Sequence, residues 1–558
     1  MTRIAVPAGG GDRTRLAGYW RDVLIDAHVA AAAREFPEAV AVIEGPARIT
    51  YRDLEESVRA VAAGLAGLGV GPGEAVSWQL PNWHEALILH HAVLRLGAVS
   101  NPIIPIYRQR EVGYILRQAR SRVIVVPETF RRFDYAGMLA GLRSALPDLR
   151  HVVVARSASR PGTAPGTQTA PGTGTGAGRP LLFEELLRCD GEAAPAVARD
   201  PDDPMLLMFT SGTTADPKGV LHTHNTLDYE CRSIIDVYGL RPDDVVWMPS
   251  PVTHITGLLY GLQLPAMLGT RVVLQDTWDP AAALRLIEAE RCTFTVAATP
   301  FLHGLVHHPE LASYDVSSLR VFACGGADVP PGLIRQAGQR LAVTATRVYG
   351  STEFPTLSTS RPDAPEDKRA GTDGQSIGGA EYRIVGDSGA DLPAGETGEL
   401  LVRGPEMFPG YLAAADNEGA FTVGGWFRTG DLASADDDGY VSIRGRKKDI
   451  IVRGGENISA TEVENILFEH PAVREVAVVA MPDPVLTERA CVFIVPVPGA
   501  TPTLADLNEY LAGQQLARQK LPERMEIVTE LPKTQSGKVQ KFRLRELIRD
   551  KLAAAGSQ

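Results

Sequence analysis

Up to about residue 380, short β-branched or apolar runs alternate with segments whose apolar positions recur at helical spacing. Val123–Val126, Val152–Val154, Met205–Phe209, Val272–Leu274 and Leu319–Ala323 each suit a strand buried on both faces. That alternation predicts an α/β fold of layered units with largely parallel sheets. From about 381 to 446 the pattern turns to short strands between glycine turns, Tyr382–Val385, Glu399–Val402 and Tyr440–Ile443, which predicts a small β-rich, barrel-like subdomain. The chain then reads as a compact α+β unit. Thr461-Glu-Val-Glu464 has capping-box spacing, Val463, Ile466 and Leu467 give one apolar helix face, and His470-Pro471 stops it. Strands Val476–Ala480 and Val492–Val495 follow.

The expected organisation is a large N-terminal domain over 1–446, a connection at 447–450, and a smaller α+β domain over 451–558. Ser157–Gly178 fits no element. It is almost wholly Gly, Pro, Thr, Ala and Ser, too poor in large apolar side chains to offset ordering entropy, and reads as a disordered insertion.

Bulk properties narrow the function. A chain of 558 residues exceeds a single core, and 44% hydrophobic with 22% charged residues is ordinary for a soluble protein. The net charge of -11 argues against nucleic acid as a partner, because phosphate backbones reward clustered Lys and Arg. An acidic chain that handles an anion must therefore gather its cations locally. The five cysteines are scattered with no CxxC pair, which points to reduced thiols, no zinc site and a cytoplasmic location. The N-terminus lacks the apolar core of a signal peptide. The most apolar stretch, Gly257–Gly269, is too short for a bilayer and is interrupted by Gln263 and Pro265, so no membrane partner is expected.

Met205–Phe209 runs into Thr210-Ser-Gly-Thr-Thr-Ala-Asp-Pro-Lys-Gly219. A buried strand that opens into Gly-containing, hydroxyl-rich backbone and then a Lys suits phosphate: N–H and hydroxyl groups donate, and the ammonium neutralises. The 157–178 stretch has a similar composition but no Lys and no comparable core strand before it. The spacing is not that of a Walker A loop. His222 and His224 stand two apart; without further ligands nearby in sequence they read as structural. Trp426 reads as packing.

The loop at Thr210, Ser211, Gly212, Thr213, Thr214 and Lys218 resembles the phosphate loop of the adenylate-forming superfamily, which spans acyl-CoA synthetases, peptide-synthetase adenylation domains and luciferases. The resemblance extends from about residue 25 to 550, with motifs in family order. Tyr349-Gly-Ser-Thr-Glu353 is similar to the YGxTE motif. It implies that Tyr349 and Gly350 border adenine, Thr352 touches the α-phosphate, and Glu353 holds Mg²⁺ as the metal ligand. Cys324-Gly-Gly-Ala327 resembles the adenine-side loop, which brings in Gly325, Gly326 and Ala327. Gly425-Trp-Phe-Arg-Thr-Gly-Asp431 resembles the ribose motif, with Asp431 on the hydroxyls. Arg446-Lys-Lys-Asp449 matches the hinge, with Arg446 beside the nucleotide and Lys448 as pivot. Gly454-Gly-Glu-Asn-Ile458 matches the loop at the CoA tunnel, through Gly454 and Gly455. Pro532-Lys-Thr-Gln-Ser-Gly-Lys538 matches the terminal motif, whose last Lys is catalytic. Two positions depart from the pattern: Ala215 in the phosphate loop, and Ser459-Ala460 where many relatives carry a Pro.

The resemblance implies ATP-dependent activation of a carboxylate as acyl-AMP, then transfer to the CoA thiol as the small C-terminal domain swings. ATP and Mg²⁺ are the implied cofactors, and CoA the co-substrate. Alternative acceptors are a carrier protein, and an alternative oxyanion is nitrite for arylamine diazotisation. The implied acid pocket comprises His254 (also implied in catalysis), Thr256, Leu262, Thr299, Phe301, Ala327 and Phe354. Pro249–Gly257 and Ala298–Leu302 look most like ligases for cyclic and aromatic acids. A monomer or homodimer is expected.

Overall fold

The structure is a computed structural model that describes residues 18–157, 180–210, 217–326, 329–453, 456–483, 486–514, 516–534 and 538–556. Of the insertion expected over 157–178, all but Ser157 lies outside the described residues, as do Ser211, Gly212, Thr213, Thr214, Ala327, Gly454 and Gly455.

Two large sheets carry the first part of the chain. A nine-stranded sheet runs Gln375–Ser376, Ser358–Thr359, Thr344–Tyr349, Val321–Gly325, Phe294–Ala297, Val245–Met248, Arg271–Leu274, Val40–Glu44 and Ala47–Thr50, parallel through its middle and antiparallel at both edges. An eight-stranded sheet runs Gly410–Tyr411, Lys218–Thr223, Pro204–Thr210, Val99–Pro102, Ala75–Trp78, Val123–Pro127, His151–Ala155 and Leu181–Leu182. Strands such as Val123–Pro127 are buried at every position, because helices cover both faces of a parallel sheet and leave no face for alternating polar residues.

The helices Tyr51–Gly67, His84–Arg95 and His224–Tyr238 form the layer between the two sheets. One core cluster joins their apolar faces to Val76 and Trp78 of one sheet and Val246 and Val272 of the other. Thr223 starts the last of these helices by accepting the Thr226 N–H, and Gly239 ends it in a left-handed conformation. Pro280–Glu290, Thr299–Val306 and Pro331–Leu341 cover the far face of the larger sheet. Gln109–Ala119 and Tyr135–Leu142 cover the far face of the other. The strand expected at Leu319–Ala323 begins two residues later, at Val321, since the Leu319 N–H closes a turn on Val316 O.

Glu381–Val385, Gly398–Arg403, Phe427–Ala435 and Val441–Arg446 make a four-stranded antiparallel sheet. Lys448 lies in the short 3-10 turn Lys447–Asp449 that leaves it. The remaining chain builds a five-stranded sheet around the long hairpin Val473–Asp483 and Thr487–Pro496. Helix Ala460–Phe468 corrects the expected capping box. Ser459, not Thr461, is the cap and accepts the Glu462 N–H. Glu464 instead accepts the Val478 N–H and pairs with Lys541, a tertiary role that outweighs local capping. This last unit rests on the larger one: the Phe468 ring meets His303 edge-on at 6.3 Å, and Ser459 Oγ donates to Arg444 O at 2.6 Å.

Candidate active site

The phosphate-type loop closes a hairpin. Thr210 and Lys218 are cross-strand partners of Pro204–Thr210 and Lys218–Thr223, so the ends of the loop are pinned. Lys218 Nζ stands 3.5 Å from Asp416 Oδ1 and 5.0 Å from the centre of the Tyr411 ring. Strand Lys218–Thr223 also pairs on its other edge with Gly410–Tyr411.

Strand Thr344–Tyr349 delivers the second group of residues. A side chain at Gly350 would place its Cβ 1.8 Å from Pro355 O, so the sharp turn that folds 351–356 back requires glycine there. Gly325 is pinned likewise, with a Cβ only 2.3 Å from Val348 O on the neighbouring strand, and Gly326 follows it at the strand's end in a left-handed conformation. Within the turn, Glu353 Oε1 accepts the Tyr411 hydroxyl at 2.9 Å, and Glu353 O accepts the Phe408 N–H at 2.9 Å. Thr352 O lies 2.7 Å from His222 Nε2.

The third group comes from the antiparallel sheet. Asp431 and Arg446 are cross-strand partners. Asp431 Oδ1 lies 2.8 Å from Arg446 Nε, while Oδ2 accepts the Tyr349 hydroxyl at 2.5 Å. Burial and the Asp431 carboxylate push the Tyr349 hydroxyl well above its ordinary range. Burial and Glu353 do the same to Tyr411. Arg446 is desolvated, yet Asp431, Tyr349, Glu353 and Asp449 together raise its pKa, so it stays charged. Its field thus spans both the Asp431 and the Glu353 ends of the cluster.

The structure therefore brings together Thr210, Lys218, Gly325, Gly326, Tyr349, Gly350, Thr352, Glu353, Asp431 and Arg446, and adds three residues that sequence reading missed: Tyr411, Asp416 and His222. A hard carboxylate with one oxygen held by a phenol, beside a cation suited to phosphate, fits a magnesium nucleotide, because Mg²⁺ takes one or two carboxylates together with phosphate oxygens and waters. Glu353 is the group that would hold it.

The acid-side residues are more dispersed. His254 precedes the short helix Ile255–Gly257, and its Nε2 is buried with no hydrogen-bond partner among the described residues. Burial lowers its pKa to about 4, so the ring is neutral near pH 7. Thr256 is half-buried, and Leu262 lies fully buried in the π-helix Leu258–Gln263. Thr299 Oγ1 lies 3.9 Å from Cys324 Sγ, and the Phe301 ring meets Trp278 edge-on at 4.8 Å. A cleft of about 80 Å³ opens here between Asn82, Arg131, Pro251, Asp276, Trp278 and Phe301. Phe354 instead packs with Tyr349, Phe408 and Tyr411 under the antiparallel sheet.

Lys538 is exposed on the C-terminal unit, where the bridge between Lys533 and Val539 closes its loop and its backbone N–H donates to Thr534 Oγ1 at 3.1 Å.

The chain matches the AMP-binding enzyme family over residues 29–412 and the AMP-binding enzyme C-terminal domain over 462–538. It is 35% identical to the medium-chain fatty-acid–CoA ligase of Escherichia coli (strain K12), with 96% of this chain and 93% of that one aligned. It is 36% identical to the 2-hydroxy-7-methoxy-5-methyl-1-naphthoate–CoA ligase of Streptomyces carzinostaticus, over 96% and 94% of the two chains. Among solved structures, an anthranilate CoA ligase in complex with anthranoyl-AMP superposes with a TM-score of 0.84 at 27% identity, covering 96% of this chain and 98% of that one. With both family regions matched in order and full-length relatives above 30% identity, the chain belongs to the AMP-binding enzyme family.

Proposed function

We propose that the protein activates a monocarboxylic acid as acyl-AMP and then transfers the acyl group to the thiol of CoA. The observation that carries this reading is the joined cluster of Lys218, Glu353 and Tyr411 with Tyr349, Asp431 and Arg446. It offers a cation and a metal-binding carboxylate for phosphates, and a second carboxylate for ribose hydroxyls.

A carboxylate is a poor electrophile. Its oxygen attacks the α-phosphorus of ATP, the bond to the β-phosphate oxygen breaks, and pyrophosphate leaves. Thr210 and Lys218, at the two ends of the loop, hold phosphate oxygens, Thr352 donates to the α-phosphate, and Glu353 would hold Mg²⁺, which would supply positive charge against the leaving pyrophosphate. Asp431 accepts ribose hydroxyls and Tyr349 flanks adenine. Lys538 donates to the transition state when the C-terminal unit presents it, and a turn about Lys448 then brings Gly454 and Gly455 to the thiol. In the second step sulfur bonds to the acyl carbon, the thiol proton passes to solvent, and AMP leaves.

The acid carries one carboxylate and no second charge. His254 is neutral, and Thr256, Leu262, Thr299, Phe301 and Ala327 carry no charge. The charged side chains at the cleft, Arg131 and Asp276, are of opposite sign, so the lining offers no net countercharge to a second carboxylate. Cyclic and aromatic acids fit this lining, and relatives named for salicylate and 2,3-dihydroxybenzoate support that choice. All five cysteines are free and four are buried, which supports a cytoplasmic setting; no helix of the described residues is long and apolar enough to cross a membrane.

The test is pyrophosphate release across a panel of acids and nitrite, with and without CoA. Release that needs an uncharged-ring monocarboxylate, and thioester formation on adding CoA, are the expected results. Acyl-AMP that turns over only with a carrier protein would move the acceptor, and release driven by nitrite alone would overturn the carboxylate.

A further inference from the structure

We propose that His222 is a positioning residue for adenylate formation, holding the Thr352 carbonyl from the strand that leaves the phosphate loop and so fixing Thr352 and Glu353 against Lys218. The inference rests on the proposed function, since it takes Thr352 and Glu353 as the groups that meet phosphate and metal.

Lys218, Val220 and His222 alternate along strand Lys218–Thr223 and share one face. Val220 on that face packs with Phe354 and Tyr411, which fixes the direction in which all three point. His222 is fully buried, with Nε2 2.7 Å from Thr352 O and Nδ1 3.0 Å from Thr226 Oγ1. A carbonyl has no proton to give, so Nε2 carries the hydrogen; Nδ1 then takes the Thr226 hydroxyl. Burial keeps the ring neutral, with a pKa lowered to about 4, and the Thr352 carbonyl selects the tautomer.

The same strand reaches the next residue by a second route. It pairs with Gly410–Tyr411, and the Tyr411 hydroxyl holds Glu353 Oε1. Two successive residues of the turn, one by its backbone and one by its carboxylate, are thus referred to the strand that begins at Lys218. The phosphate loop and the metal-binding turn are separate in sequence; His222 makes their spacing a property of one rigid strand. A bland buried histidine would satisfy its own nitrogens anywhere, but this one bonds the peptide carbonyl between two proposed phosphate-site residues. A displacement of about 1 Å in such a group costs on the order of a hundred-fold in rate.

The experiment is acid-dependent ATP–pyrophosphate exchange with a Mg²⁺ titration, on wild type, His222→Leu, His222→Asn and His222→Gln. Leucine removes the donor. Asparagine keeps a group for Thr226 but falls short of Thr352, and so carries the test if the leucine variant folds poorly. Glutamine places an amide N–H where Nε2 stood. Expected are a kcat lower by roughly thirty- to a hundred-fold in the leucine and asparagine variants, and a raised half-saturating Mg²⁺ concentration. ATP and acid KM should stay within about threefold, with near-complete rescue by glutamine. Leucine and asparagine variants with wild-type kcat and Mg²⁺ dependence overturn the inference, as does a folded glutamine variant as impaired as leucine. A wild type that shows no acid-dependent exchange overturns the proposed function itself.

Discussion

Replacing Asp431 by alanine separates binding from chemistry at this site. Asp431 is 5% exposed and accepts from the Tyr349 hydroxyl at 2.5 Å and Arg446 Nε at 2.8 Å. With nucleotide bound, the ribose hydroxyls compete for the same oxygens, so the net gain is nearer one hydrogen bond to a charged acceptor than two. That is about 1.5–3 kcal/mol, or roughly ten- to a hundred-and-fifty-fold in affinity. The ribose sits far from the bond that breaks, and the contact is alike in ground and transition states. KM for ATP should therefore rise by that factor while kcat changes little. Stability should fall too. Arg446, with a 35% exposed side chain, loses a partner that water partly replaces, about 0–1 kcal/mol. The Tyr349 hydroxyl loses its acceptor in a more enclosed place, about 1 kcal/mol or more. Pyrophosphate-release kinetics at varied ATP, with urea unfolding in parallel, measure both. A kcat that collapses at unchanged KM would refute the ribose assignment, and so would a wild type indifferent to the loss of the ribose 2′- or 3′-hydroxyl.

Lys538→Ala should lower adenylation about a hundred-fold or more by removing one charged transition-state donor, while thioester formation from synthetic acyl-AMP stays near wild type; an equal fall in both steps would refute the two-position reading. Lys448→Pro places a fixed φ in the 3-10 turn Lys447–Asp449 and restricts Lys447. Single-turnover kinetics should show acyl-AMP forming and transfer to CoA slowed about a hundred-fold; wild-type rates for both steps would move the pivot elsewhere. Glu230→Gln tests the fully buried acid of helix His224–Tyr238 that accepts the Tyr260 hydroxyl. Burial pushes the Glu230 carboxyl up from 4.5 to about 7, so the folded protein keeps a proton there that the unfolded chain releases. Its stabilising share is present below pH 4.5 and is lost as pH rises towards 7. The permanently neutral Gln should flatten that decline by about 3 kcal/mol between pH 5 and 8, and parallel urea-unfolding profiles for the two proteins would overturn it.

What the sequence disclosed follows the range of the interactions involved. Val123–Pro127 and Pro204–Thr210 were readable because a strand covered on both faces leaves an unbroken apolar run. The cap of helix Ala460–Phe468 was misplaced by two residues, since Glu464 answers to Val478 and Lys541, which no local pattern shows. Of the proposed nucleotide residues, the Thr210–Lys218 loop stands out by its glycine and hydroxyl groups after a buried strand, whereas Tyr349, Glu353, Asp431 and Arg446 are legible only through the motifs that resemble the family's. Tyr411 is not singled out by the sequence and His222 reads there as structural, because each meets the turn after Tyr349 only once Lys218–Thr223 pairs with Gly410–Tyr411 and that turn folds onto both. Asp431 and Arg446 lie in separate motifs, and only strand register shows them to be opposite one another. The one available sequence hint for His222 was its even spacing from Lys218 along a strand, which alternation alone makes a shared face.

The net charge of -11 now has a local counterpart. The two cations of the cluster rest on carboxylates, Lys218 near Asp416 and Arg446 on Asp431, so neither site offers an unopposed positive charge to a passing anion. On the proposed function, a ligand gains affinity only by exchanging these partners. Phosphate replaces Asp416 at Lys218, and ribose hydroxyls share Asp431 with Arg446. Inorganic phosphate satisfies the first exchange and leaves the second undone; a nucleoside supplies the second and not the first. Only a nucleotide completes both. Specificity therefore comes from the acidic partners as much as from the cations, because they set the free energy that an incomplete ligand fails to recover. An acidic protein can afford this arrangement more readily than a basic one, whose surplus cations would hold any phosphate regardless of what was attached to it.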